Sequence, residues 1–143
     1  MEGAARGLGL TLQSDEIQDP NEINGTFAAM TTTQAEASRL LPNPLFLNTR
    51  RIIDLAARGR LPGMYPFKAA TGAEGLMAYD ENRSGIRRRT GFSVDRIFKG
   101  AKAGELPVEQ PTKFELFINL KTAKALRLTI PPAIQIRADG VIQ

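Results

Sequence analysis

The sequence predicts an α/β fold: an open, mostly parallel sheet flanked by helices in a single domain. Three observations predict it. Residues 40–67, LLPNPLFLNTRRIIDLAARGRLPGMYPF, read as strand, tight loop, helix and strand, which is half of an α/β unit. Short apolar runs then recur between helical patterns, so that four short βα units fit along the chain. Finally, 143 residues with 42% hydrophobic and 24% charged side chains suit one soluble domain burying roughly two thirds of its unfolded surface.

Taken in order, residues 2–9 carry the pattern of a helix tail, with Gly9 placed to end it. So short a helix is marginal alone, and the reading is that the chain begins inside an element whose earlier turns lie elsewhere. Leu10 and Leu12 alternate with Thr11 and Gln13, predicting a strand to about Ile17. Asp19-Pro20-Asn21-Glu22 has the cap, the proline and the acid three residues on that start a helix, with Ile23, Phe27 and Met30 on its apolar face. Ala37 to Leu41 is a second strand, weakened by Ser38 and Arg39 and therefore expected to be frayed, displaced or at a sheet edge.

Pro42-Asn43-Pro44 then forces a turn, and a helix is predicted from Leu45 to Arg58, closed by Gly59. Its buried face carries Leu45, Thr49, Ile52, Ile53 and Ala56, while Arg50, Asp54 and Arg58 follow at i, i+4 on the solvated side. Leu61 to Tyr65 is a third strand, residues 68–74 a helical turn broken by Gly75, and Leu76 to Tyr79 a fourth strand. From Ser84 to Lys99, Ile86, Thr90, Val94, Ile97 and Phe98 sit at helical spacing, ended by Gly100. After a polar connection, Phe114, Leu116, Ile118 and Leu120 alternate as a strand with one apolar face. A short helix follows from Lys121 to Leu126, and Ile130-Pro131-Pro132 is expected to stop regular structure beyond it.

Composition excludes most chemistry. There is no cysteine and no histidine, which removes thiol nucleophiles, disulfides, imidazole bases and the zinc sites built on them. Asp15 and Glu16, if in a strand, point to opposite faces, and Asp80-Glu81 reads as a loop pair. Gly7-Leu8-Gly9 lacks the third glycine and the preceding strand of a dinucleotide fingerprint. The expectation is no enzyme and no cofactor. The net charge of +4 is local, resting on Arg83, Arg87, Arg88 and Arg89 with Lys99 and Lys102 behind them. With no interleaved aromatic platform this is read as a solvated helix face in preference to a nucleic-acid surface. No run of about 20 apolar residues predicts membrane insertion, and no export signal is visible.

Within Pro107 to Pro132 the run VEQPTKFELFINLKTAKALRLTIPP closely resembles the C-terminal segment of the ABC-transporter substrate-binding proteins, whose better-known members bind aromatic amino acids. The resemblance extends back through LPNPLFLNTRRIIDLAARGRLPGMYPF and Gly75-Leu76-Met77. It is most specific from Glu109 to Leu126. It implies one lobe, the C-terminal one, of a type I periplasmic-binding-protein fold, with crossovers between lobes in residues 80–120. It also implies a small-molecule ligand such as an amino acid, an ABC permease as partner and a periplasmic setting. Ser38-Arg39 departs from the family's buried strand, Arg127 stands in place of a helix-ending glycine, and residues 68–93 stray from its helix pattern. A homodimer formed through an uncovered lobe face is the rival expectation.

The candidate ligand contacts are Asn43, Phe46, Tyr65, Phe67 and Tyr79. Asn43 follows a strand and could bond a ligand's amino or carboxyl group, or simply shape its loop between two prolines. Phe46, Tyr65 and Phe67 could stack on a ligand or belong to the core, with the Tyr65 hydroxyl expected at a wet edge. Tyr79 would face the cleft or pack at the crossover.

Overall fold

The computed structural model describes residues 2–43, 49–108 and 110–143. Its frame is a five-stranded sheet in the order β1-β2-β3-β4-β5. These are β1 (Ser38–Arg39), β2 (Gly63–Tyr65), β3 (Met77–Glu81), β4 (Phe114–Asn119) and β5 (Gly140–Ile142). Neighbours pair in parallel except β3 with β4, which run antiparallel with Met77 opposite Ile118 and Glu81 opposite Phe114. The weak strand around Ser38 is therefore a sheet edge only two residues long, where one open side tolerates a serine and an arginine.

The helices are α1 (Glu2–Gly7), α2 (Ile23–Thr32), α3 (Thr49–Arg58), α4 (Ala69–Gly72), α5 (Arg83–Phe98), α6 (Leu120–Ala125) and α7 (Pro132–Ile136). A 3-10 turn, Pro20–Glu22, leads into α2 and is held by a capping box. The Asn21 amide donates to Asp19 Oδ1 at 2.8 Å, and Glu22 Oε2 accepts from the Asp19 amide at 3.2 Å. In α3, Ile52, Ile53 and Ala56 are buried as the pattern requires, and Arg50 pairs with Asp54 at 2.9 Å on the outer face. Leu45, the start of that predicted helix, lies outside the described residues.

Two buried clusters hold the helices to the sheet. Ile23, Ile52, Ile53, Tyr65 and Ala70 join α2, α3, β2 and α4. Leu76, Ile118, Ala123 and Ile130 join the β3–β4 pair to α6 and the segment after it. Each buried isoleucine contributes about 1.5–3 kcal/mol over its exposed state. Between the clusters sits the buried amide of Asn119. Its Oδ1 accepts the Thr122 amide at 3.0 Å as the cap of α6, and its Nδ2 donates to the Thr71 carbonyl at 2.9 Å, tying α4 to the end of β4.

Several expectations are corrected. Residues 10–17 pair with no strand among the described residues, and Leu10 and Leu12 stay exposed, because alternation makes a strand only where a neighbouring ladder accepts its hydrogen bonds. The left-handed residue that closes α3 is Arg60 (φ 51°), one beyond Gly59. Asp80 and Glu81 belong to β3, so they face opposite sides: Asp80 is buried and Glu81 exposed. Pro131-Pro132 does not stop the chain. Pro132 opens α7, where its missing N–H costs nothing, and β5 follows. The apolar stripe of α5 also finds no core. No residue of this helix is buried, and Phe92 (71%) and Phe98 (86%) stand largely in solvent.

Candidate functional site

The carboxyl ends of β1, β2 and β3 and the amino end of β4 share one edge of the sheet, the place where ligands collect on open α/β sheets. The rim is built from residues 40–43, 66–68, 81–83 and 113–114. Backbone bonds set its spacing: the Leu40 amide donates to the Met64 carbonyl at 2.9 Å, and the Asn82 amide to the Lys113 carbonyl at 3.0 Å. Asp80 anchors it from below. Its Oδ2 accepts the Lys68 amide at 3.0 Å, at the start of α4, and its Oδ1 lies 3.5 Å from Arg83 Nε. The guanidinium of Arg83 in turn sits 5.5 Å from the Phe67 ring centroid, and Lys68 Nζ sits 4.4 Å from that of Phe117. The Asn82 amide group donates to Glu115 Oε1 and accepts from the Gly85 amide, so it both caps α5 and clips it to β4.

The sequence-selected residues fall in different places. Phe67 is half-buried on the rim beneath Arg83, and Asn43 is half-buried in the loop after β1. Tyr79 is 46% exposed on the opposite face of β3 from Asp80, where it stacks on Phe114 with centroids 5.4 Å apart and planes 13° from parallel. Phe46 lies outside the described residues. Tyr65 is the correction. It is 3% exposed, inside the first core cluster, and its ring lies back over Gly63: a Cβ on that glycine would come within 2.6 Å of the hydroxyl. The expected wet edge is replaced by a small cavity of about 130 Å³ at the amino ends of the strands, lined in part by Leu61, Gly63, Tyr65 and Leu126. Burial pushes the Tyr65 phenol up to about 12.

Lys68, Asp80, Arg83 and Phe114 are not among the candidate ligand contacts read from the sequence. An Asp at the end of an apolar strand followed three residues later by Arg is a readable local signal, but only the strand assignment of Asp80 makes it one. The rim offers cations, ring faces and amide groups around one buried carboxylate. The adjacent carboxylates Asp80 and Glu81 face opposite sides of β3 and cannot converge on one substrate atom. Among the described residues no group of three or more carboxylates could hold a metal ion.

Parallel strand and helix units with a mixed aromatic and charged rim at the carboxyl edge make this an α/β domain of the periplasmic-binding-protein kind. Residues 1–142 match the sequence model of the family described as ABC transporter substrate binding protein, and the chain belongs to that family. Among solved structures it is similar to an ABC domain in complex with L-Trp from Streptococcus pneumonia, at TM-score 0.87 and 25% identity, over 99% of this chain and 49% of that one. A conserved domain protein from Vibrio cholerae gives TM-score 0.86 at 19% identity, over 98% and 47% of the two chains. A ligand-free, open substrate-binding protein with adhesive properties from Clostridium difficile gives 0.66 at 17%, over 99% and 48%. The chain thus spans about half the length of each. No curated protein matches it. Among the described residues no helix is long and apolar enough to cross a membrane.

Proposed function

We propose that this chain is the second lobe of a two-lobed solute-binding component of an ABC importer, taking a small zwitterionic solute such as an amino acid at the carboxyl edge of its sheet. The observation that carries the reading is the overlay of nearly the whole chain on half of a structure that holds L-Trp. The rim suits such a ligand: Asn43 offers amide contacts, Phe67 a ring face and Arg83 a guanidinium for a carboxylate, while Tyr79, on the other face of β3, belongs to the proposed set through its stacked pair with Phe114 at the rim's end. Phe46 belongs to the same proposed set. The role is binding without catalysis, its downstream partner an ABC permease and its setting the periplasm.

The exposed α5 fits a crossover arm that packs on the other lobe. A solute enclosed from one side only is held weakly, so the test covers both states. Thermal melts of this chain with and without L-Trp and other amino acids, alone and after adding the other half of a relative, should show a rise in Tm with one of them. No shift in either state overturns the reading. A second reading, self-association through the uncovered face of α5, is favoured by its exposed phenylalanines.

A further inference from the structure

The cavity of about 130 Å³ at the amino ends of the strands lies on the seam between the two buried clusters. Ile53 and Tyr65 of the first cluster line it, as do Leu76 of the second and Leu126, which packs against the second. Arg60 and Glu74 are the exposed charged residues of the lining and mark its mouth. Most of the polar groups around it are already engaged. Thr122 Oγ1 donates to the Glu74 carbonyl at 2.9 Å, the Glu74 carboxylate pairs with Arg50 at 3.1 Å, and the Arg60 guanidinium stays at the surface in water. The Tyr65 hydroxyl is the exception. Its side chain is buried, and among the described residues the hydroxyl has no hydrogen-bond partner. Two glycines fix the ring: a Cβ on Gly63 would come within 2.6 Å of the hydroxyl, and one on Gly75 within 2.9 Å of the ring edge. The hydroxyl is thereby held beside Gly63, at the cavity wall.

We infer that this cavity is a binding site for a small, uncharged apolar molecule carrying one hydroxyl group, an alcohol or a phenol, whose hydroxyl bonds that of Tyr65. An apolar cavity of about 150 Å³ takes benzene, so the space here suits a molecule of that size or smaller. A buried hydroxyl left unpaired is costly, and a ligand group that bonds it removes that cost. Water is the poorer occupant, since a buried water makes about three hydrogen bonds and the buried side chains of this lining offer one free partner. A charged ligand is disfavoured by the apolar walls. The site goes beyond the solute reading and does not depend on it: none of Asn43, Phe67 and Arg83 lines this cavity, and the rim lies at the opposite ends of the parallel strands.

The test is calorimetric titration of the whole chain at neutral pH with phenol, 1-butanol and benzene. Phenol or 1-butanol should bind, and the tighter of the two identifies the apolar body as a ring or an alkyl chain. That ligand should bind about fivefold more tightly than benzene. Tyr65→Phe removes a hydroxyl without a partner, and it should erase this fivefold advantage while changing benzene binding by less than about twofold. Ala125→Leu sets a larger side chain in the exposed part of the lining and should weaken every ligand by about tenfold or more. Thermal melts of both variants check folding. No heat with either alcohol means a cavity that holds water only, and overturns the site. So does an equal loss of benzene and the hydroxylic ligand in Tyr65→Phe, a ligand that Tyr65→Phe leaves unchanged, or binding that survives Ala125→Leu and therefore takes place elsewhere.

Discussion

Gln34, Arg60, Glu74 and Arg127 hold left-handed backbone, with φ of 54°, 51°, 72° and 59°. Each closes a helix, and in each the next residue's amide returns to a carbonyl one turn inside: Ala35 to Met30, Leu61 to Ala56, Gly75 to Ala70 and Leu128 to Ala123, at 2.8–2.9 Å. At Gly9 and Gly100 the same closure is made by glycine, without a Cβ penalty. A non-glycine residue in this conformation costs about 1–2 kcal/mol, offset by about 0.5–1 kcal/mol of extra unfolded-state freedom if glycine replaces it. Arg127→Gly should therefore stabilise the chain by about 0.5–1 kcal/mol, read as a higher urea midpoint at unchanged slope. A lower midpoint would mean that the Arg127 side chain makes contacts worth more than the strain. Tyr65 makes a second prediction. Its folded phenol is raised to about 12 from 10, so the stability it supports is full below pH 10 and is lost as the pH climbs toward 12. Across that window the wild type should lose about 2–3 kcal/mol that Tyr65→Phe does not lose, measured by denaturation at stepped pH.

At the scale of elements, α5 is the outlier, since a sixteen-residue helix with no buried residue contributes little to the core. Phe92→Ser with Phe98→Ser should leave the melting temperature nearly unchanged. The same pair should reduce any concentration-dependent increase in mass seen by light scattering. A large loss of stability would show that the helix is part of the core after all, and unchanged association would move the contact elsewhere. Its periodic stripe of Ile86, Val94 and Ile97 was legible in the sequence, but periodicity reports a face and not what covers it. The capping box at Asp19, the faces of α3 and the short helix that follows the strand begun at Phe114 were legible because each is settled within a few residues. The strand at 10–17 and the end at Pro131 were misread because they depend on partners distant in sequence, a missing ladder in one case and the β4–β5 pairing in the other. Tyr65 failed for the same reason. Nothing local says that its ring lies back over Gly63.

For the whole molecule, the family was legible in the run from Glu109 to Leu126 and the sheet class in the alternation of short strands and helices. The antiparallel position of β4 was not, because a strand's direction depends on the route of the connection before it. That direction has a further consequence. Since β3 and β4 are antiparallel neighbours, with Asn82 bonded to Lys113 where they meet, everything between them is topologically the loop of a hairpin. In evolutionary terms α5 and the strap after it are cargo on that hairpin. They can be lengthened, recharged or exchanged without altering the order of any strand, which leaves a cluster such as Arg87-Arg88-Arg89 free to change at little expense to the fold.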